Sequence, residues 1–318
     1  MKKKISLLLC LCLLLITGCS QIGSAIRFGA ADVGGMYYPF ASSYTGLVTK
    51  DNADYQFEVK TTAGSAANLR LLSGGYIELG IAQNDFIDAA YNGTGIFKGN
   101  LYKGYKAVAS LYPEACQIVV RADSDIETLN DLQGKTVSIG AKESGTENNA
   151  KQILKMSGLT SELVSTVQLD YTDAADKLAS GKIDAFFCTA GVTTSVIEEL
   201  ARSCGIRFLD IDENCSEKLL KAYPFYSKYT ISAGTYSGQE NDVQTLAVQS
   251  VLLASDKLST DTVKDLTAAL YDHTGDLQYA TSLNLQLDAS SATKGITIPF
   301  HPGAAAYYDE QGITVPTE

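Results

Sequence analysis

Strand-like and helix-like blocks of apolar residues alternate along almost the whole chain. Short runs rich in β-branched and aromatic residues are typical of strands. The clearest of these runs lie at 57–62, 76–83, 136–141 and 184–190. Apolar positions at helical spacing separate them, as where Val263, Leu266 and Leu270 fall on one face. The alternation predicts an α/β protein with largely parallel sheets.

A weak internal repeat accompanies this pattern. "FGAADVGG" (28–35) aligns without gaps on "IGAKESGT" (139–146), and "LLSGGYIELGIAQ" (71–83) matches "LASGKIDAFFCT" (178–189) with a slip of one residue. Two copies in the same order indicate two lobes built on one plan, although short glycine-bearing matches also arise by chance. Ligands bind outside the carboxyl ends of strands in open α/β sheets, so facing lobes would place both glycine turns on one cleft.

The N-terminus carries a targeting pattern. Three lysines at 2–4 precede an apolar run that is too short to span a bilayer, which needs roughly 20 apolar residues. "ITGC" at 16–19 resembles the bacterial lipobox, which predicts a signal peptide at 1–18 and a lipid on Cys19. The alternative is ordinary secretion with Cys19 left free. No second stretch of the sequence is long and apolar enough to span.

The composition disfavours nucleic-acid binding and metal sites. Removal of residues 1–18 leaves 22 basic and 36 acidic residues, a net charge of −14, whereas phosphate contacts need clustered Lys and Arg. The cysteines beyond the lipobox match no zinc spacing, and with two histidines in the chain we expect neither a metal nor a cofactor. Cys204 and Cys215 could pair in an oxidising compartment, but sequence alone cannot assign that disulfide.

The first glycine turn is a candidate binding element. Gly34 and Gly35 allow a ligand to approach the backbone, and a helix beginning near Met36 would offer unpaired N–H groups. Tyr37 and Tyr38 lie about 100° apart on that helix, so at most one is core while the other can face the cleft. Packing alone would also explain both tyrosines.

The second glycine turn reads "SGTE". Ser144 and Glu147 fit a capping box, which explains them structurally. In the functional interpretation, Ser144 and Thr146 are hydroxyl donors, and the free N–H groups of the turn remain for a carboxylate. Both interpretations can hold together because a cap satisfies only some of the free donors. Other polar residues sit where strands end, as caps or as ligand contacts. They are Thr62, Ser65, Asn68, Gln83 and Thr189.

Enzymatic motifs are missing from the sequence. There is no Gly-x-Ser-x-Gly elbow, no Walker-type lysine and no His-Glu-x-x-His. His273 and His301 lie near the C-terminus, and His301 stands between prolines, where a structural role is expected. Catalysis by carboxylates alone stays open as an alternative.

Six segments together resemble the TAXI class of receptors for TRAP (tripartite ATP-independent periplasmic) transporters. They occur in register from about residue 26 to 313: "GAADVGGMYYPFASSY", "TTAGSAANLRLLSGGYIELGIAQND", "GAKESGTENNAKQIL", "DAFFCTAG", "YTISAGTYSGQENDVQTLAV" and "IPFHPGAAAYYDEQG". The resemblance implies a type II periplasmic-binding-protein fold, two α/β lobes joined by a hinge with a ligand cleft between them. It also implies a ligand such as glutamate, glutamine or 2-oxoglutarate, delivered to TRAP membrane subunits.

Carried over by position, the resemblance implies a set of cleft residues. The sequence departs from the class at Ser237, where proline is common, and at Cys188. No arginine adjoins either glycine turn, and only Arg70 and Arg121 come near enough to consider, so we expect helix N-termini, hydroxyls and amides to hold the carboxylate. The implied ligand-binding residues are Gly35, Tyr37, Thr62, Ser65, Asn68, Gln83, Ser144, Gly145, Thr146, Glu147 and Thr189.

These observations combine into one prediction. The chain is a monomeric extracytoplasmic lipoprotein and not an enzyme, with a signal peptide at 1–18, a tether at 19–25, lobe 1 at 26–115 plus 246–318, and lobe 2 at 116–245. The chain crosses between lobes near 110–120 and again near 242–253. An ABC-type or sensory receptor of the same fold is the main alternative. A carboxylate-using enzyme and a lipoprotein acting through protein contacts are the others.

Overall fold

The computed structural model describes residues 25–283, 285, 287–288 and 291–318. The predicted signal peptide, the predicted lipid site at Cys19 and the tether up to residue 24 lie outside these residues. Within the described ranges, no helix combines the length and the apolar character needed to cross a membrane.

The strands of the described chain join into one mixed sheet. They are β1 (Ile26–Gly29), β2 (Phe57–Lys60), β3 (Leu79–Gln83), β4 (Tyr105–Arg121), β5 (Thr136–Ser138), β6 (Ser165–Val167), β7 (Ala185–Ala190), β8 (Ile206–Phe208), β9 (Ser227–Ile231) and β10 (Val243–Ser255). Their order is β2-β1-β3-β10-β4-β7-β5-β6, with β8 also paired to β4 and β9 to β10. β1 runs parallel to β2 and β3, and β5 runs parallel to β6 and β7.

The helices recur in the same order in both halves. They are α1 (Tyr37–Asp51), α2 (Ser65–Ser73), α3 (Asn84–Asn92), α4 (Gly145–Met156), α5 (Tyr171–Ala179), α6 (Ser195–Cys204), α7 (Glu213–Ala222), α8 (Thr260–Asp272), α9 (Thr274–Thr281) and α10 (Pro302–Glu310), with 3-10 turns at Gly95–Phe97 and Leu129–Leu132. The series β1-α1-β2-α2-β3-α3 is repeated as β5-α4-β6-α5-β7-α6. The structure therefore contains the repeat that the two glycine turns predicted.

Two long strands connect the halves. β4 has 17 residues and β10 has 13, whereas strands of about 5–6 residues are usual. β10 pairs with β3 through 250–254, and β4 pairs with β7 through 115–120. We call the part around β1–β3 lobe 1 and the part around β5–β7 lobe 2. Because β4 and β10 run through both, they are buried along nearly their whole length, which explains why their sequences are largely apolar.

Lobe 2 has a hydrophobic core of its own, drawn from residues between Cys116 and Val248. The four described cysteines are free thiols, so Cys204 and Cys215 do not form a disulfide here. Cys215 is buried in that core and its Sγ lies 3.2 Å from the hydroxyl of Ser157.

Candidate functional site

A cavity of about 50 Å³ lies between the lobes, at the carboxyl ends of their parallel strands. Its lining includes the first residues of α1, α2, α4 and α5 and the residue that precedes α3. A helix N-terminus presents unpaired N–H groups and carries roughly +0.5 elementary charge. The convergence of these helix ends favours an anionic group without help from an arginine.

The glycine turn of lobe 1 is held by Asp32. Its Oδ1 accepts a hydrogen bond from the Gly34 N–H at 2.7 Å, and its backbone oxygen accepts one from Gly35 at 3.2 Å. Tyr171 of lobe 2 packs so closely that a Cβ added at Gly35 would lie 3.2 Å from the tyrosine ring. The absence of a side chain at residue 35 thus lets the two lobes meet.

Tyr37 is the tyrosine of this turn that faces the cavity. It is 6% exposed, lines the cavity and donates its hydroxyl proton to Glu114 Oε2 at 3.0 Å. Tyr38 is half-buried and packs against the main hydrophobic core. The helix begins at Tyr37 with Met36 as its N-cap, close to the predicted start.

The turn of lobe 2 is capped by Ser144 as predicted. Its Oγ accepts the Glu147 N–H at 3.0 Å. In a full capping box the glutamate side chain would accept from the Ser144 N–H. Here Glu147 Oε2 accepts from the N–H of the preceding residue, Glu143, at 2.8 Å. The Ser144 N–H donates instead to the Ala141 oxygen at 3.1 Å.

Hydroxyl groups beside this turn are engaged with one another. Thr146 Oγ1 lies 2.5 Å from the Tyr171 hydroxyl and accepts the Thr189 N–H at 3.1 Å, while the Tyr171 hydroxyl donates to the Thr189 oxygen at 3.0 Å. With the tyrosine proton committed to Thr189, Thr146 donates to Tyr171. The Thr146 hydroxyl therefore holds the wall of the cavity and has no proton left for a ligand.

Gln83 brings an unpaired acceptor into the cavity. Its backbone N–H donates to Ser65 Oγ at 3.1 Å, so Ser65 supports Gln83 and does not cap α2. The side chain is 2% exposed, and its Oε1 has no partner among the described residues. A buried acceptor left unpaired costs about 1–3 kcal/mol, so a ligand that donates a hydrogen bond here regains that energy.

Glu114 is the most unusual group in the lining. It lies in the middle of β4 and is 2% exposed. Burial raises the pKa of its carboxyl to about 8; hydrogen bonds from Tyr37 and Gln83 oppose the rise, and the charge of Asp85 adds to it. Burial also raises the pKa of Asp32, which lines the same cavity.

Eight of the predicted ligand-binding residues line the cavity. They are Gly35, Tyr37, Ser65, Gln83, Ser144, Gly145, Thr146 and Thr189. Thr62, Asn68 and Glu147 do not line it.

These three side chains have structural hydrogen bonds instead. Asn68 is fully buried, and its Nδ2 donates to the backbone oxygens of Gly29 and Ile81 at 3.2 and 2.9 Å, which ties β1 to β3. Thr62 Oγ1 donates to Asn68 Oδ1 at 2.6 Å. Glu147 pairs with the lysine one turn later in α4 and accepts from Gln168.

Sequence reasoning missed three acids and one tyrosine of the lining: Asp32, Glu114, Asp170 and Tyr171. Glu114 had a usable signal, since it is the single acid within the buried run 105–120. Asp170 also had a usable signal, because an aspartate is a typical N-cap. It caps α5, and its Oδ1 accepts the Asp173 N–H. Tyr171 had none, because its contact with Gly35 depends on how the lobes meet.

Direct contacts between lobes surround the cavity. Arg70 of lobe 1 forms an ion pair with Glu143 of lobe 2, and the Ala66 N–H donates to the Glu143 oxygen at 3.2 Å. On the other side, Asn148 Nδ2 lies 3.4 Å from Asp85 Oδ2. Both arginines considered from the sequence are therefore occupied away from the cavity, Arg70 here and Arg121 with the neighbouring Asp123.

Neither histidine lines the cavity. His301 Nδ1 accepts the Gly303 N–H at 3.1 Å and caps α10, and burial lowers its pKa. His273 lies between Asp51 and Asp276, and its hydrogen bonds to them raise its pKa. Across the described residues, no group of three or more His, Cys, Asp or Glu side chains could hold a metal ion.

Solved structures share this architecture. A periplasmic transporter aligns with a TM-score of 0.55 and 16% identity over 80% of this chain and 85% of its own. A protein of Bordetella bronchiseptica aligns with a TM-score of 0.55 and 17% identity over 92% of this chain and 81% of its own. The GLUR0 ligand-binding core in complex with L-glutamate aligns with a TM-score of 0.51 and 9% identity over 82% of this chain and 97% of its own. The predicted two-lobed α/β fold of periplasmic-binding proteins is confirmed.

The sequence also matches a described protein family. The model of the NMT1-like family aligns with residues 28–312, from β1 to the end of α10 and just beyond. Both lobes and every residue of the cavity lining fall within that range. The chain therefore belongs to the NMT1-like family.

Proposed function

We propose that the protein is an extracytoplasmic solute receptor that closes its two lobes on a small carboxylate such as glutamate, glutamine or 2-oxoglutarate. The observation that carries this proposal is the convergence of five helix N-termini, from both lobes, on one cavity. Such termini bind carboxylates through backbone N–H groups. The described lining holds no histidine, cysteine, lysine or arginine that could activate a nucleophile or transfer a proton, which favours capture over turnover.

The mechanism we propose is closure about β4 and β10. Gly64 faces Ser144 so closely that an added Cβ would lie 3.3 Å from the serine Cα, so entry of a ligand requires the lobes to separate. A ligand that contacts both glycine turns binds the closed state better than the open one and shifts the population toward it. The lobe boundaries at 115/116 and 245/246 belong to this proposal.

The partner and the anchor are further parts of the proposal. The resemblance to TAXI receptors supports delivery to TRAP membrane subunits, and the lipobox supports a lipid on Cys19 at the outer face of the membrane. An ABC-type or sensory role uses the same fold and remains the alternative. A neighbouring gene for a multispanning subunit supports TRAP, whereas a neighbouring ATPase gene supports the ABC alternative.

A ligand screen tests the receptor function. We expect an amino acid, 2-oxo acid or dicarboxylate to raise the melting temperature and to reduce the radius of gyration in small-angle scattering. Gly145→Ala should weaken binding several-fold, because the added Cβ would lie 2.2 Å from Gln83 Oε1 and displace that side chain.

Gly46→Ala is the matched control, since it lies in α1 with open space around it and should leave binding unchanged. Failure of every compound to stabilise the protein would overturn the proposed function.

A further inference from the structure

We infer that Glu114 selects ligands carrying a protonated amine, with Gln83 as its partner, so that the cavity takes an α-amino acid in preference to the matching 2-oxo acid. This inference rests on the proposed function, because it concerns the same cavity.

The side chains that line the cavity are acidic and not basic. Among the described lining residues, Asp32, Glu114 and Asp170 are acids and none is lysine, arginine or histidine. The helix N-termini can satisfy one carboxylate. A ligand with negative charge at both ends would place its second charge against carboxyl groups with no cationic side chain in the lining to compensate. A ligand that is positive at one end avoids this conflict.

Two side chains of the lining retain the capacity to accept hydrogen bonds. Glu114 and Gln83 both line the cavity, both are 2% exposed, and the Gln83 amide also lies against the Glu114 carboxyl. Gln83 Oε1 is an acceptor with no partner among the described residues, and Glu114 uses Oε2 to accept from Tyr37. A carboxylate offers about four lone-pair sites, and an ammonium group carries three donors. One ammonium group can therefore donate to both acceptors once Glu114 is ionised, whereas a ketone has no proton to donate to either of them.

Protonation gives the selection a measurable signature. Burial raises the pKa of Glu114 to about 8 in the closed cavity, so the carboxyl is largely protonated at pH 7. An adjacent ammonium favours the ionised form, and binding should release a proton. The groups that act on Glu114 come from both lobes and from its own strand. They are Tyr37, Gln83, Asp85, Tyr112, Cys116, Tyr171 and Cys188.

The test compares amino acids with 2-oxo acids of identical carbon skeleton, namely glutamate with 2-oxoglutarate, aspartate with oxaloacetate and alanine with pyruvate. For the pair that binds, we expect the wild type to prefer the amine at least ten-fold in calorimetry. Glu114→Gln should reduce the affinity for the amine at least ten-fold and change that for the oxo acid by less than three-fold. Glu143→Gln is the control, which should alter both affinities by the same factor, because Glu143 lies outside the lining and pairs with Arg70 of the other lobe.

The wild type alone provides a second measurement that does not depend on the folding of a variant. Titration of the amino acid at pH 7 in phosphate and in Tris, whose ionisation enthalpies differ, should reveal proton release, and the oxo acid should reveal none. Equal affinity for amine and ketone, or amino-acid binding without proton release, would overturn the role of Glu114 while leaving the receptor function intact. Binding of no member of any pair would overturn the receptor function itself.

Discussion

Single side chains in the cavity divide into those that build its walls and those left for a ligand. Thr146 donates its hydroxyl proton to Tyr171, Tyr171 donates its own to the Thr189 oxygen, and the Thr189 N–H donates back to Thr146. Gln83 and Glu114, in contrast, keep acceptor capacity that faces the cavity. Because buried polar groups are ordinarily paired, these two side chains mark the part of the lining to which a ligand can donate a hydrogen bond.

The cap at Ser144 can be separated into structural and binding contributions. Ser144→Ala removes the hydrogen bond to the Glu147 N–H and should lower the free energy of unfolding by about 1 kcal/mol. It also alters a residue that lines the cavity, so ligand affinity should fall as well. Urea unfolding and calorimetry measure the two effects.

Ser259 provides the matched control for that substitution. It caps α8 in the same way, accepting from the Thr262 N–H at 3.0 Å, but it is exposed and does not line the cavity. Ser259→Ala should cost similar stability and leave affinity unchanged. If both variants bind as the wild type does, Ser144 is a cap and nothing more.

Helix ends organise the site because each of α1 to α5 begins where a strand of the same lobe has just ended. Because the strands are parallel, the helix N-termini lie at one edge of each lobe, and the two edges face each other across the cavity. Contacts between elements of opposite lobes then decide how tightly the edges close. The main charged contact joins α2 to the turn that precedes α4, through Arg70 and Glu143.

That ion pair should favour the closed state modestly. Glu143→Gln removes the charge while keeping the backbone bond to Ala66, so we expect ligand affinity to fall about two- to five-fold, in line with the 0–1 kcal/mol of exposed pairs. Asp123→Asn removes a comparable pair with Arg121 that lies within one lobe, and should leave affinity unchanged. Equal affinities for the Glu143 variant and the wild type at low salt would contradict this role.

At the scale of the whole molecule, folding is linked to protonation. Burial in the folded structure raises the pKa values of Glu114 and Asp85 to about 8 and about 7. The unfolded chain has lost both protons by pH 7, so the folded protein binds more protons than the unfolded one. Stability must then fall as pH rises through that range.

We therefore expect the ligand-free protein to be less stable at pH 9 than at pH 7 in urea unfolding, and Glu114→Gln to reduce the difference. His273 contributes in the same direction, since its raised pKa supplies stability that is lost as pH rises, but it is unchanged in the variant. His301, whose pKa is lowered, acts as pH falls below about 6.5 and lies outside this window. An identical pH dependence in variant and wild type would show that Glu114 is not buried in solution.

Much of the architecture was accessible to prediction because its signals are local. Glycines before a helix, a serine three residues before a glutamate, and alternating apolar periods lie within a few positions of one another. They predicted the start of α1, the cap of α4 and the repeated lobe, and eight residues of the cavity lining followed from the resemblance. The same local signals could not distinguish Ser65 and Gln83, which line the cavity, from Thr62 and Asn68, which do not. The direction in which each side chain points depends on tertiary packing.

What the tertiary structure alone settled is the chemistry inside the cavity. Glu114 is one acid in a largely apolar strand. Its place in the cavity depends on the register of β4 against β10 and on its hydrogen bond with Tyr37, 77 positions away. Tyr171 meets Gly35 only where the lobes touch. Such contacts join residues that are distant along the chain, and no short-range pattern records them. Local periodicity and turn residues therefore dictate the lobes, while long-range packing dictates which charges and acceptors a ligand encounters.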